Sequence, residues 1–91
     1  MHMKLRVSGK SMYPTLVDGD MLTVEKQGEY QEGDILVVNN RDSLMVHRAI
    51  MKKNFNGKVF YLTKGDNNPF IDRWQLQEKI VGKVVAVNED D

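Results

Sequence analysis

Apolar and polar positions along this chain recur with the period of strands, not of helices. Lys4-Leu5-Arg6-Val7-Ser8 alternates as a half-buried strand does. Met21-Leu22-Thr23-Val24-Glu25 predicts a second strand, rich in strand formers. Ile35-Leu36-Val37-Val38 is a continuous apolar run, which predicts a strand covered on both faces. Leu44 to Met51 predicts the next strand. Asn54-Phe55-Asn56-Gly57 reads as a hairpin turn, and Lys58 to Thr63 as its return strand, with Val59, Tyr61 and Thr63 on one side. Ile80 to Val87 closes the series, with Gly82 as an expected bulge. Between these runs lie turn-forming stretches: Gln27 to Asp34, Asn39 to Ser43, and Lys64 to Arg73. Arg73 to Lys79 predicts one helical turn or two. Six or seven short strands with little helix predict a mostly β fold, a small coiled antiparallel barrel or sandwich.

Length and charge narrow the picture. Ninety-one residues make one small domain, expected over residues 1–91. Thirteen basic and thirteen acidic side chains cancel, so no nucleic-acid partner is expected. There is no cysteine, which removes disulfide and thiolate chemistry. No apolar run is long enough to cross a bilayer as a helix. The C-terminal Glu89-Asp90-Asp91 reads as a frayed acidic end. Two histidines far apart give no metal-ligand spacing, and Asp18 and Asp20 lack the rest of a calcium loop. No metal or cofactor is expected.

The least regular stretch carries the most chemistry. Ser8-Gly9-Lys10-Ser11-Met12-Tyr13-Pro14-Thr15-Leu16 sets a serine between a glycine and a proline. Pro14 fixes one dihedral and pushes Tyr13 toward extended backbone. A serine on such a bend either bonds a neighbouring backbone group or projects its hydroxyl outward as a nucleophile. His47 is the only histidine in the body of the chain. An imidazole, which titrates near pH 6.5 when unperturbed, suits a general base. A lone histidine on a strand is otherwise a packed structural residue.

The wording of four boxes, in order, favours the catalytic readings. Ser8 to Leu16 resembles the nucleophile box of the type I signal peptidases and the LexA-like serine peptidases. Glu32-Gly33-Asp34-Ile35-Leu36-Val37-Val38 resembles that superfamily's Gly-Asp strand. Val46-His47-Arg48-Ala49-Ile50 resembles the box carrying the base. Thr63-Lys64-Gly65-Asp66-Asn67-Asn68, with Asp72 and Ile80-Val81-Gly82-Lys83-Val84 after it, resembles the closing boxes. Histidine before Arg48, where bacterial members carry lysine, is similar to the archaeal and endoplasmic-reticulum signal peptidases.

The resemblance implies the LexA/signal peptidase fold and a serine endopeptidase cutting after a small residue. It implies Ser11 as nucleophile, His47 as base, and Asp72 and Asp66 as the carboxylates of the site. Asp72 is favoured as the partner of His47, with Asp66 as a supporting group, though the sequence alone leaves the two open. The Ser11 backbone N–H is the expected oxyanion donor, because Gly9 stands where some relatives carry a hydroxyl. The expected partner is a peptide or preprotein substrate in extended conformation. A membrane is expected only if a native anchor lies outside these residues, since ten residues precede Ser11. A full-length chain would be expected in the cytoplasm. Two other readings remain at this point: a self-processing regulatory domain of the LexA kind, and an inactive peptide-binding β-module.

Overall fold

In a computed structural model, residues 2–89 are described. Asp90 and Asp91 of the acidic end lie outside the described residues. Seven strands form one antiparallel sheet: β1 (His2–Arg6), β2 (Met21–Glu25), β3 (Ile35–Asn40), β4 (Ser43–Phe55), β5 (Lys58–Lys64), β6 (Trp74–Leu76) and β7 (Ile80–Val87). The spatial order is β1-β2-β7-β3-β4-β5-β6, so β7 is threaded between β2 and β3. The fold is mostly β, as the period-2 pattern predicts.

Hydrophobic burial explains this arrangement. Leu36, Val37 and Val38 of β3 are fully buried, as the unbroken apolar run predicts. One core cluster gathers Val7, Met12, Leu16, Leu22, Val24 and Val37 beneath the serine loop. A second gathers Tyr30, Leu36, Val38, Ala49, Tyr61 and Ile80. In the second, the Tyr30 and Tyr61 rings meet edge-on with centroids 5.9 Å apart. The Tyr61 hydroxyl accepts the Tyr30 N–H at 2.9 Å and donates to Gln77 Oε1. The loop before β3 is thereby fastened to the sheet, and burial raises the Tyr61 phenol above its ordinary pKa.

One expectation is narrowed and one is corrected. Arg73 to Lys79 holds one helical turn, not two. Trp74–Leu76 pairs with Leu62 to Phe60 on β5, which leaves only Gln77–Lys79 for a single 3-10 turn. Gly82 is not itself the extra residue of a bulge. It pairs with Val37, and the register slips beside it, between Gly82 and Ile80. Glycine stands there because β2 comes too close: a Cβ would lie 2.7 Å from the Glu25 carbonyl oxygen.

The β3–β4 and β4–β5 hairpins place the site. His47 pairs with Leu36, and Ala49 pairs with Thr63, so His47 and Thr63 are diagonal neighbours across β4 and β5. The loop from Lys64 to Arg73 leaves the end of β5 at that point and returns to it as β6.

Candidate active site

The segment between β1 and β2 is held by its own backbone. Val7 N–H donates to the Asp20 carbonyl and Gly19 N–H to the Val7 carbonyl, both at 2.8 Å. The Asp18 carboxylate accepts Gly9 N–H, and the Asp20 carboxylate accepts Val17 N–H. The Val17 amide, aided by the Asn88 side chain, holds the Asp20 carboxyl below the usual carboxylate range. These two aspartates therefore serve the turn. Among the described residues, no group of three or more side chains is placed to hold a metal. Met12 and Leu16, each 2% exposed, plug the segment into the core, with Leu16 N–H donating to the Met12 carbonyl. Ser11, half-buried, is fixed by the anchored residue beside it.

The loop after β5 clamps the serine segment from the other side. Asn67 N–H donates to the Ser11 carbonyl at 2.8 Å, and its side-chain amide donates to the Lys10 carbonyl at 3.0 Å. Thr15 donates its hydroxyl to Asp66 Oδ2 at 2.7 Å. Gly65 makes the approach possible: a Cβ there would lie 2.7 Å from the Ser11 carbonyl oxygen. Lys10 is exposed.

Arg48 and Asp66 bracket this junction. Arg48 Nε donates to Asp66 Oδ1 at 2.9 Å, Nη2 to Oδ2 at 2.8 Å, and Nη1 to the Gly33 carbonyl at 2.8 Å. The planar guanidinium matches the carboxylate with two parallel bonds. The Arg48 guanidinium, helped by the Thr15 hydroxyl, holds the Asp66 carboxyl below its ordinary range, and Asp66 raises Arg48 in return. Asp66 thus ties β4 and the Gly33 turn to the serine segment.

His47 is 7% exposed and turns to the other carboxylate. Its Nδ1 lies 2.5 Å from Asp72 Oδ2. The same oxygen accepts the Thr63 hydroxyl at 2.8 Å, and Asp72 N–H donates to the Thr63 carbonyl at 2.7 Å. No described residue bonds the other ring nitrogen, Nε2. Ser11 and His47 line one cleft of about 330 Å³, walled by apolar Leu5, Val7, Leu44 and Met45 and by polar Arg6, Ser8, Asn40 and Ser43. Asp72, not Asp66, is the aspartate brought to His47. A hydroxyl, an imidazole and a carboxylate in this order are the parts of a base-assisted nucleophile.

The Peptidase S24-like family profile matches residues 1–85. The chain belongs to the Peptidase S24-like family. This peptidase-family chain is 36% identical over 86 residues to the signal peptidase complex catalytic subunit SEC11C of Homo sapiens, a match covering 80% of this chain and 45% of that protein. It is 39% identical over 89 residues to SEC11 of Metarhizium acridum, covering 84% and 52%. It is also 33% identical over 84 residues to the LexA repressor of Clostridium tetani, covering 91% and 40%. The chain spans about half the length of the curated relatives it matches, or somewhat less. No described helix is long and apolar enough to cross a membrane.

Several residues that build this S24-like site escaped the sequence reading. Thr15 and Asn67 carry the clamp, and although both stand in the quoted boxes, neither spacing nor residue type marks their contact with the opposite segment. Thr63 left a signal: it is the polar member of the otherwise apolar face Val59, Tyr61, Thr63. A hydroxyl on a buried strand face needs a partner.

Proposed function

We propose that this chain is a serine endopeptidase domain of the histidine-using signal peptidase type, with Ser11 as nucleophile, His47 as general base and Asp72 as its orienting carboxylate. One observation carries the reading: His47 lines one cleft with Ser11 and is bonded through Nδ1 to Asp72. With Nδ1–H donating to Asp72, Nε2 is the nitrogen that accepts the Ser11 proton. Ser11 Oγ attacks the scissile carbonyl, and the developing oxyanion takes the Ser11 backbone N–H, which donates to no described group. His47 then passes its proton to the leaving amine, whose C–N bond breaks to leave an acyl-serine. Water, deprotonated by the same imidazole, releases the acid.

The substrate is a signal, leader or propeptide segment in extended form, laid along the Leu5 to Ser8 side of the cleft. Leu5, Val7, Leu44 and Met45 give this mixed cleft an apolar part that suits a small aliphatic side chain before the cut. Similarity to the SEC11 catalytic subunits supports that class of substrate.

The test is cleavage of a peptide mixture rich in Ala-X-Ala sites, read by mass spectrometry. Wild type is expected to cut after small residues, and Ser11→Ala and His47→Ala to lose those cuts. Retention of full cleavage by Ser11→Ala would overturn the assignment.

A further inference from the structure

We infer that Thr63 is a positioning residue of this site: its hydroxyl holds the Asp72 carboxylate against His47 and so sets the imidazole's aim at Ser11. The inference rests on the reading above that His47 is the base.

Three observations carry it. Thr63 is fully buried, and its one hydroxyl proton is spent on Asp72 Oδ2 at 2.8 Å. That oxygen is the one His47 Nδ1 meets at 2.5 Å. The backbone of the same pair closes a second link, Asp72 N–H to the Thr63 carbonyl at 2.7 Å. Thr63 and Asp72 thus form the neck of the loop from Lys64 to Arg73.

The neck explains why a threonine is needed. Asp72 enters from an irregular segment, with no regular element to fix its side chain. Its neighbours Phe70 and Ile71 are 79% and 56% exposed, so little packing aims it. The backbone link places the Asp72 Cα but leaves its side-chain torsions free. The Thr63 hydroxyl removes that freedom. Its own direction is set by a β-branched side chain on a strand, which has few rotamers. The strand register places it diagonal to His47 on the same face as Ala49. One rigid hydroxyl therefore ties the carboxylate to the strand pair that carries the base. Valine would fill the same volume and satisfy the core, but would leave Asp72 Oδ2 with the imidazole alone.

Three variants of Thr63 test this. Thr63→Val keeps the shape and removes the donor, and Thr63→Ser keeps the donor and removes the methyl. Thr63→Ala beside Thr63→Ser repeats the contrast if valine impairs folding. The first readout is the far-downfield proton resonance of the His47 Nδ1–H, assigned by its loss in His47→Gln. The second is kcat and KM on an Ala-X-Ala peptide. The resonance is expected in wild type and Thr63→Ser, and is expected to be lost or moved upfield in Thr63→Val and Thr63→Ala. In those two, kcat is expected to fall on the order of tenfold to a hundredfold with KM little changed, as for a misaimed catalytic group. A resonance and rate unchanged in Thr63→Val would overturn the inference. So would a folded Thr63→Ser that behaves like Thr63→Ala, since packing would then be the role. If the wild type cuts no peptide, the protease reading fails alone, and the resonance still decides the link from Thr63 to His47.

Discussion

Two aspartates six residues apart close this site, and their surroundings give them opposite work. Asp66 faces a guanidinium that can never give up its proton, takes both of its parallel bonds, and binds Thr15 as well. It is a fixed anion in a frame. Asp72 faces an imidazole, a group that changes charge during acid–base chemistry, and a neutral hydroxyl. The same side chain is a bracket where its partner is permanently charged and, on the proposed reading, an orienting group where its partner is the base. The difference lies in the β4 residues each one meets: Arg48 on one face of the strand and His47 on the other.

The largest effects should follow from removing the charge on the chemical side. Asp72→Asn keeps the shape but invites the wrong imidazole tautomer. Peptide cleavage should fall on the order of a thousandfold to ten-thousandfold, as seen when an orienting aspartate is neutralised in a serine triad. Its melting temperature should change little. Asp66→Asn should reverse that pattern, and equal activity losses in the two variants would erase the distinction drawn here.

Gly65→Ala sharpens the comparison from the frame side. The added methyl meets the Ser11 carbonyl oxygen, so the serine segment must shift. A displacement of that kind should cost about a hundredfold in kcat, read by steady-state kinetics, without touching any titrating group.

Asp66→Asn, or Arg48→Lys, breaks the bidentate pair. Both side chains are partly solvated, so the loss should be about 1–2 kcal/mol. For a domain of this size that is a drop of roughly 4–15 °C in melting temperature by calorimetry. Arg48→Lys should not restore it, because an ammonium cannot make two parallel bonds.

The smallest effect is the pH dependence of the bracket. Asp66 has its carboxyl pKa lowered in the folded state, first by Arg48. Its stabilisation is therefore complete above the unfolded carboxylate value, about 3.9, and is lost as pH falls through the lower folded value. The stability gap between wild type and Asp66→Asn should be constant from neutral pH to about pH 5 and should shrink below about pH 4. Acid titration of unfolding free energy checks this. A gap that widens on acidification would contradict the assignment.

Much of this was legible in the sequence, and for physical reasons. Alternation marked the strands because one face of each is buried, and the run Ile35 to Val38 marked the covered strand because both its faces are. The serine between Gly9 and Pro14 stood out because no regular element tolerates that wording. The partner of His47 was favoured as Asp72 but not separated from Asp66, since both lie in one irregular loop and only the register of β4 and β5 decides which carboxylate reaches which strand face. Arg73 to Lys79 showed its one helical turn, but not the strand before it, because three residues are too few to show a period and only pairing with β5 makes them a strand. Thr15 and Asn67 act through contacts between segments about fifty residues apart, which no local pattern records.

The most direct test of the central claim is to trap the intermediate. An activated ester of an Ala-X-Ala peptide is mixed with the protein, quenched in acid within its first turnover, and the acylated residue is located by mass spectrometry. One acyl group is expected, on Ser11, formed far more slowly in Asp72→Asn and His47→Ala than in Asp66→Asn. Turnover with no acyl group on Ser11, or acylation of Ser11 at an unchanged rate in His47→Ala, would contradict it.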